Sequence, residues 1–307
     1  MKKLTFLALF IAFSASLFSQ NKLTNALYAL KNNELDKAKE LIDAAMVDSV
    51  FMDKAATWYY AGNIYKELFK KNEFTEKQSP MRLLSANYFI KSVELDTAGT
   101  YQKSSRQNLK YIAETIYNHA ASSFDMQQYP VAISNYTKYK ELLSFAYPET
   151  NFTEKDIMFN LALATTYSKI AESDSTNRDM YVDKARELYQ KVLELDSNNV
   201  SANYNIGIIY YNEGVDIVNN MDYSLDLEQL NLVQDRIIEL FRESLPYMKK
   251  AYDLNPKRKE TLIGLQGIYF SLNDIPKSEA YKKELEKLEE EESMEKTTPE
   301  DVEMQEE

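Results

Sequence analysis

The stretch Trp58–Tyr65 reads WYYAGNIY, and its plan returns as NLALATTY (Asn160–Tyr167), NYNIGIIY (Asn203–Tyr210) and LIGLQGIY (Leu262–Tyr269). Each copy sets a small or tolerant residue three places before a tyrosine, with apolar residues one helical turn away. Gly62 and Gly207 have helix-forming sequence on both sides. A glycine inside a helix costs about 1 kcal/mol against alanine, so these two imply a neighbouring helix packed against the backbone. The chain is therefore read as helices stacked in pairs.

Working outward, the same 3–4 spacing recurs along nearly the whole sequence. A first pair covers residues 21–31 and 35–47, and a second starts at Asp53 and closes with 83–95, after a polar stretch at 70–79 and Pro80. A third uses 107–125 and 130–143, with Pro130 in a first turn where its missing N–H is harmless. A fourth uses 155–170 and 180–195, a fifth opens at 200–212 and ends at 244–256, and a sixth has 259–272 and then Ile275 onward. Only 6 glycines and 7 prolines punctuate 307 residues, which favours an all-α protein.

Six pairs, several with a tryptophan-or-apolar, leucine, glycine, tyrosine order in the first helix, resemble the tetratricopeptide repeat (TPR), whose period is 34 residues. The second-helix signature is similar in AKELIDAAM from Ala38, KARELYQKVLELD from Lys184 and SLPYMKKAYDLNP from Ser244, the last ending in Asn255-Pro256. The resemblance spans about residues 21–288. It implies an α-solenoid of about six helix-turn-helix units whose first helices line a groove that takes a peptide or protein segment. On that register Tyr65, Tyr167, Tyr210 and Tyr269 are packing positions. Tyr59, Asn63, Tyr117, Phe124, Tyr204, Ile208, Tyr211 and Phe270 are the expected partner-binding residues of the groove. A glycan or other small ligand is the alternative occupant of such an aromatic groove.

Spacing departs from the family in the fifth unit. Tyr210 and Tyr269 are 59 residues apart, 25 more than one period. The extra residues are not polar filler. Val215, Val218 and Met221 extend the first helix, and Leu230, Val233, Ile237 and Phe241 lead into the second. Two overlong helices are expected, paired beyond the stack and joined by a turn at 222–226, with Pro246 inside the second. Gly214 is expected to lie past the packed segment.

Composition excludes several chemistries. No cysteine is present, so there is no disulfide, thiolate metal site or thiol nucleophile. His119 is the one histidine, and it reads as a structural residue rather than a metal ligand. No phosphate loop or nucleophile elbow occurs, so no catalytic residue, metal or cofactor is assigned. The formal charge of −12 disfavours nucleic acid. Partners are expected to be proteins or peptides, including copies of the chain itself.

The N-terminus has the order of an export signal: Lys2 and Lys3, an apolar run at 4–13, then Ser14, Ala15, Ser16 and Ser19. The run is shorter than the ~20 residues of a spanning helix. The expected layout is a signal peptide at 1–19, a repeat domain at 20–288 and a disordered acidic tail at 289–307, which holds ten carboxylates and one lysine. The mature protein is expected to be periplasmic or secreted, without a membrane span, as an interaction scaffold of a bacterial cell envelope. N-terminal sequencing of protein from fractionated cells should give a start at Leu17 or Gln20; intact Met1 in the cytosol would contradict this.

Overall fold

Six helical hairpins follow one another in the computed structural model, which describes residues 22–222 and 224–295. They are α1 (22–31) with α2 (Leu35–Met46), α3 (Ala55–Asn72) with α4 (Pro80–Leu95), and α5 (Gln102–Ala121) with α6 (Tyr129–Ala146). Then come α7 (Thr153–Ser173) with α8 (Arg178–Leu195), α9 (Val200–Asn219) with α10 (Leu227–Leu254), and α11 (Lys259–Ser271) with α12 (Ile275–Glu295). No strand occurs among the described residues.

The chain forms two compact units, the first ending at Phe152 and the second starting at Thr153. In the first, Ala38, Ile42 and Ala45 of α2 meet Ala61, Ile64 and Leu68 of α3. Tyr65 closes that layer, with its hydroxyl donating to Asp43 at 2.8 Å. In the second, Met248 of α10 packs with Leu265, Ile268 and Tyr269 of α11. Tyr167 and Tyr269 are buried as the packing register required, whereas Tyr210 is half-buried, stacked on Tyr247 and beneath the Arg186 guanidinium.

The glycines act as close-contact sites. A Cβ on Gly62 would lie 2.8 Å from the Phe89 ring of α4, and one on Gly207 would lie 3.3 Å from the Met248 backbone nitrogen. At both places a buried serine of the second helix donates to the glycine carbonyl: Ser85 to Gly62 at 2.7 Å and Ser244 to Gly207 at 2.6 Å. A buried hydrogen bond of this kind contributes about 1 kcal/mol net. It also sets the height of one helix along its partner.

Helix ends differ from the spacing in instructive places. α5 starts at Gln102, five residues early, and stops at Ala121 rather than at 125. The buried Asp96 carboxylate explains the early start. It accepts from the backbone N–H groups of Thr100, Tyr101 and Gln102 and organises the turn in which Gly99 takes φ +76°. Pro80 is the first residue of α4, not a break before it; the Ser79 hydroxyl caps the helix from Arg82 N–H at 3.0 Å. α12 runs on through the acidic residues 289–295, where the tail was expected. Lys259 of α11 pairs with Glu292 at 2.7 Å and Lys287 with Glu291 at 3.7 Å, which offsets the crowding of like charges. Residues 1–21 and 296–307, which hold the signal and the rest of the tail, lie outside the described residues.

Gly214 is a further correction. It is buried, and a Cβ on it would stand 2.8 Å from the Phe241 ring. The packed segment therefore extends past it. Gly207→Leu should cost about 1–3 kcal/mol or more through overpacking. Gly214→Ala should lose stability despite the roughly 1 kcal/mol it recovers in helix propensity. Urea unfolding followed by circular dichroism checks both, and a stabilised Gly214→Ala would refute the contact.

Candidate functional site

The extra residues of the fifth hairpin form an arm, but of the two helices expected to be overlong only the second is: α9 has 20 residues, as α5 does. α10 has 28 residues, about 42 Å at 1.5 Å each, against 18 for α8. Its start is fixed by a reciprocal cap: Asp226 accepts from Gln229 N–H at 2.8 Å, and the Gln229 side chain accepts from Asp226 N–H. Pro246 sits inside α10, where it withholds the bond that position would give to the Arg242 carbonyl. Ion pairs Arg178–Asp216 and Arg186–Glu213 tie α8 to α9 below the arm.

Where the arm leaves the stack it borders a cleft of about 870 Å³ against the end of α11. Val215 and Val218 of α9 and Ile237 and Phe241 of α10 form its walls, and Phe270 and Leu272 close it. Its polar lining includes Gln234, Arg242 and Asn273. At its border Phe270 is 67% exposed, and Leu227, on the same face of α10 as Gln234 and Ile238, is 76% exposed. Large apolar side chains left in water beside an apolar cleft are the mark of a docking surface.

The eight expected groove residues divide between the two units. Tyr59 is half-buried, its ring 4.9 Å from Tyr101 and 6.1 Å from Phe89. The Asn63 amide donates to the Tyr59 carbonyl at 2.8 Å, and its oxygen accepts from Lys66. The Lys66 ammonium also reaches Asn108 of α5 at 2.7 Å, and burial holds its pKa below the usual lysine value. Tyr117 turns away from this face, onto Tyr136 and Tyr139 of α6 at 6.2 and 5.0 Å. Phe124 is not helical at all but half-buried in the connection after α5.

In the second unit, Tyr204, Ile208 and Tyr211 pack on the Met248, Leu265, Ile268 and Tyr269 cluster. The Arg258 guanidinium lies 3.8 Å from the Tyr204 ring centre. The Tyr211 hydroxyl crosses Gly267 so closely that a Cβ there would be 2.6 Å away. The following helix thus engages them, and all three are half-buried. Phe270 alone of the eight is open to solvent, and it faces the cleft. Leu227 and Arg242 escaped the sequence reading, although Gln234, Ile238 and Arg242 share a face at four-residue spacing.

His119 is structural. The buried Arg82 guanidinium donates to its Nδ1 at 2.9 Å and to the Lys77 carbonyl at 2.8 Å, above the Phe69 ring. Burial pushes Arg82 down to about 10. Arg82 and Lys77 together secure the polar stretch 70–79, since Lys77 reaches the Ser122 carbonyl and the Asn135 amide bonds the Lys77 carbonyl. Among the described residues no group of three His, Asp or Glu side chains could hold a metal. No described helix is long and apolar enough to cross a membrane.

The TPR repeat family model matches residues 182–214, which fall in α8 and α9. Similar solved structures include a TPR repeats protein from Bacteroides fragilis, 18% identical, covering 81% of this chain and 96% of that one with a TM-score of 0.44. PilF from Pseudomonas aeruginosa is 12% identical over 88% and 91%, at 0.38. YrrB, described as a TPR protein with an unusual peptide-binding site, is 18% identical over 79% and 89%, at 0.26. No curated protein matches the sequence. The repeat match and the six hairpins define an all-α, TPR-like protein. That fold is generally a non-enzymatic scaffold for protein partners.

Burial, then the charge of Arg82, lowers the His119 pKa, so the folded state holds the ring neutral. Its unfolded pKa is about 6.5, and below that value the unfolded chain binds the proton more readily. Stability should fall as pH drops from 7 towards 5, and His119→Gln should flatten that window. Thermal melts across it decide the point; an unchanged slope in the variant would contradict the assignment.

Proposed function

We propose that this protein is an exported interaction scaffold of a bacterial cell envelope and that it holds a protein partner at the cleft beneath its arm. The observation that carries the reading is the cleft itself, an apolar cavity of about 870 Å³ bordered by exposed Leu227 and Phe270. Export rests on the basic start, the apolar run and the small residues before Gln20. A TPR-like fold supports a protein partner over an enzymatic role.

The groove of first helices is a weaker docking surface than the sequence implied. Tyr59 stacks on its neighbours, Tyr117 belongs to the α5–α6 contact, and Tyr204 and Tyr211 pack half-buried against α11. A glycan reading needed those rings free, and they are engaged. The arm, by contrast, is an addition to the repeat that a stack does not need for its own core.

The test is recovery of partners from an envelope fraction with three forms of the protein. Wild type should retain a stoichiometric protein. Phe270→Glu, at an exposed position, should lose it without shifting the melt. Deleting 219–228 and rejoining the helices should do the same. Equal recovery by all three would contradict the cleft as the binding surface.

A further inference from the structure

Six of the seven arginines are engaged within the chain. Arg82 bonds His119 and backbone carbonyls, Arg106 bonds the Phe145 and Ala146 carbonyls, and Arg178, Arg186, Arg236 and Arg258 each pair with a carboxylate. Arg242 is exposed and has no such partner among the described residues. It lines the cleft. The chain carries 48 acidic against 36 basic residues, and Arg242 is the arginine that none of the described carboxylates or carbonyls engages. An unpaired guanidinium on the rim of an apolar cavity is complementary to an apolar group that brings its own acid.

Two features select a protein segment over a small amphiphile. The walls include two helices, α9 and α10, and the apolar surface continues along α10 to Leu227, 76% exposed and on the helical face of Gln234 and Ile238. That strip is more than a small ligand would cover, and it suits a helix lying in a groove. Taking the cleft as the docking site proposed above, we infer that its occupant is an amphipathic helix of a partner protein. Its apolar face sits against Val218, Ile237 and Phe270, and an aspartate or glutamate beside that face pairs with Arg242. The cavity supplies the attraction and the arginine supplies register and sign.

The experiment is selection of displayed peptides on the whole chain. The library consists of amphipathic helices with fixed apolar positions and randomised polar ones. Retained peptides should carry Asp or Glu at one constant offset from the apolar stripe. Arg242→Glu should weaken those peptides at least about tenfold, and selection on that variant should return Lys or Arg at the same offset. Retained peptides without a charge preference, unchanged binding by Arg242→Glu, or no retained peptide would each overturn the inference. Peptides that ignore Arg242 but are lost on Phe270→Glu would overturn the acidic partner and leave the cleft as a docking site. Concentration-dependent sedimentation abolished by Arg242→Glu would make the occupant a second copy and overturn it as well.

Discussion

The close approach of paired helices at Gly62 and at Gly207 is the constraint on which the rest depends. At Gly62 a Cβ would collide with the Phe89 ring at 2.8 Å, and at Gly207 it would press on Met248 at 3.2 Å, tighter than ordinary contact. A serine one turn away then bonds the glycine carbonyl, Ser85 in the first case and Ser244 in the second. The hydroxyl contributes about 1 kcal/mol; the glycine gives up about as much in helix propensity. The return is positional. With the two backbones fixed in height, Tyr65 and Tyr269 fall into the layer between one hairpin and its neighbour, where both are buried.

The arm prolongs the same geometry. Gly214 repeats the contact two turns beyond Gly207, this time against Phe241, with Ile237 buried one turn further out. Beyond that the arm has no third helix to cover it, and its apolar residues meet water or the cleft. Such a hairpin would be marginal alone. Here it is anchored at its base by Gly214 and Phe241, stapled to α8 through Arg178–Asp216, and closed at its tip by the Asp226–Gln229 cap. The cleft between this arm and α11 follows from the arm's length and from Phe270 ending its own helix exposed.

The fold was legible because it is periodic: spacing three and four marked every hairpin, and the 59-residue gap marked the arm. Helix ends were less legible where long-range side chains set them. Asp96 starts α5 from six residues away, and Lys259 holds Glu292 in α12 from the neighbouring helix. The site was read from repeat register, which gives a face but not what covers it. Tyr204 and Tyr211 have the right face and pack half-buried against α11, while Tyr117 packs onto Tyr139 of α6. Gly214 was misplaced because the sequence shows a glycine without showing Phe241 opposite it. Arg242 was missed because one arginine among many charges has no pattern of its own; only its lack of a partner distinguishes it.

Amide hydrogen exchange of α9 and α10 tests the central claim most directly, because it reads whether the arm is continuous with the hairpin that bears it. Opening free energies fall towards zero in mobile segments and approach the global value in packed ones. The backbone amides at 214–217 and 237–241 should exchange with the protection of the Gly207–Met248 contact, and protection should decline only towards the turn at 222–226. Exchange of 214–217 and 237–241 at loop rates, beside a protected Gly207 segment, would contradict it: the arm would then be a loose extension, and no fixed cleft would lie at its base.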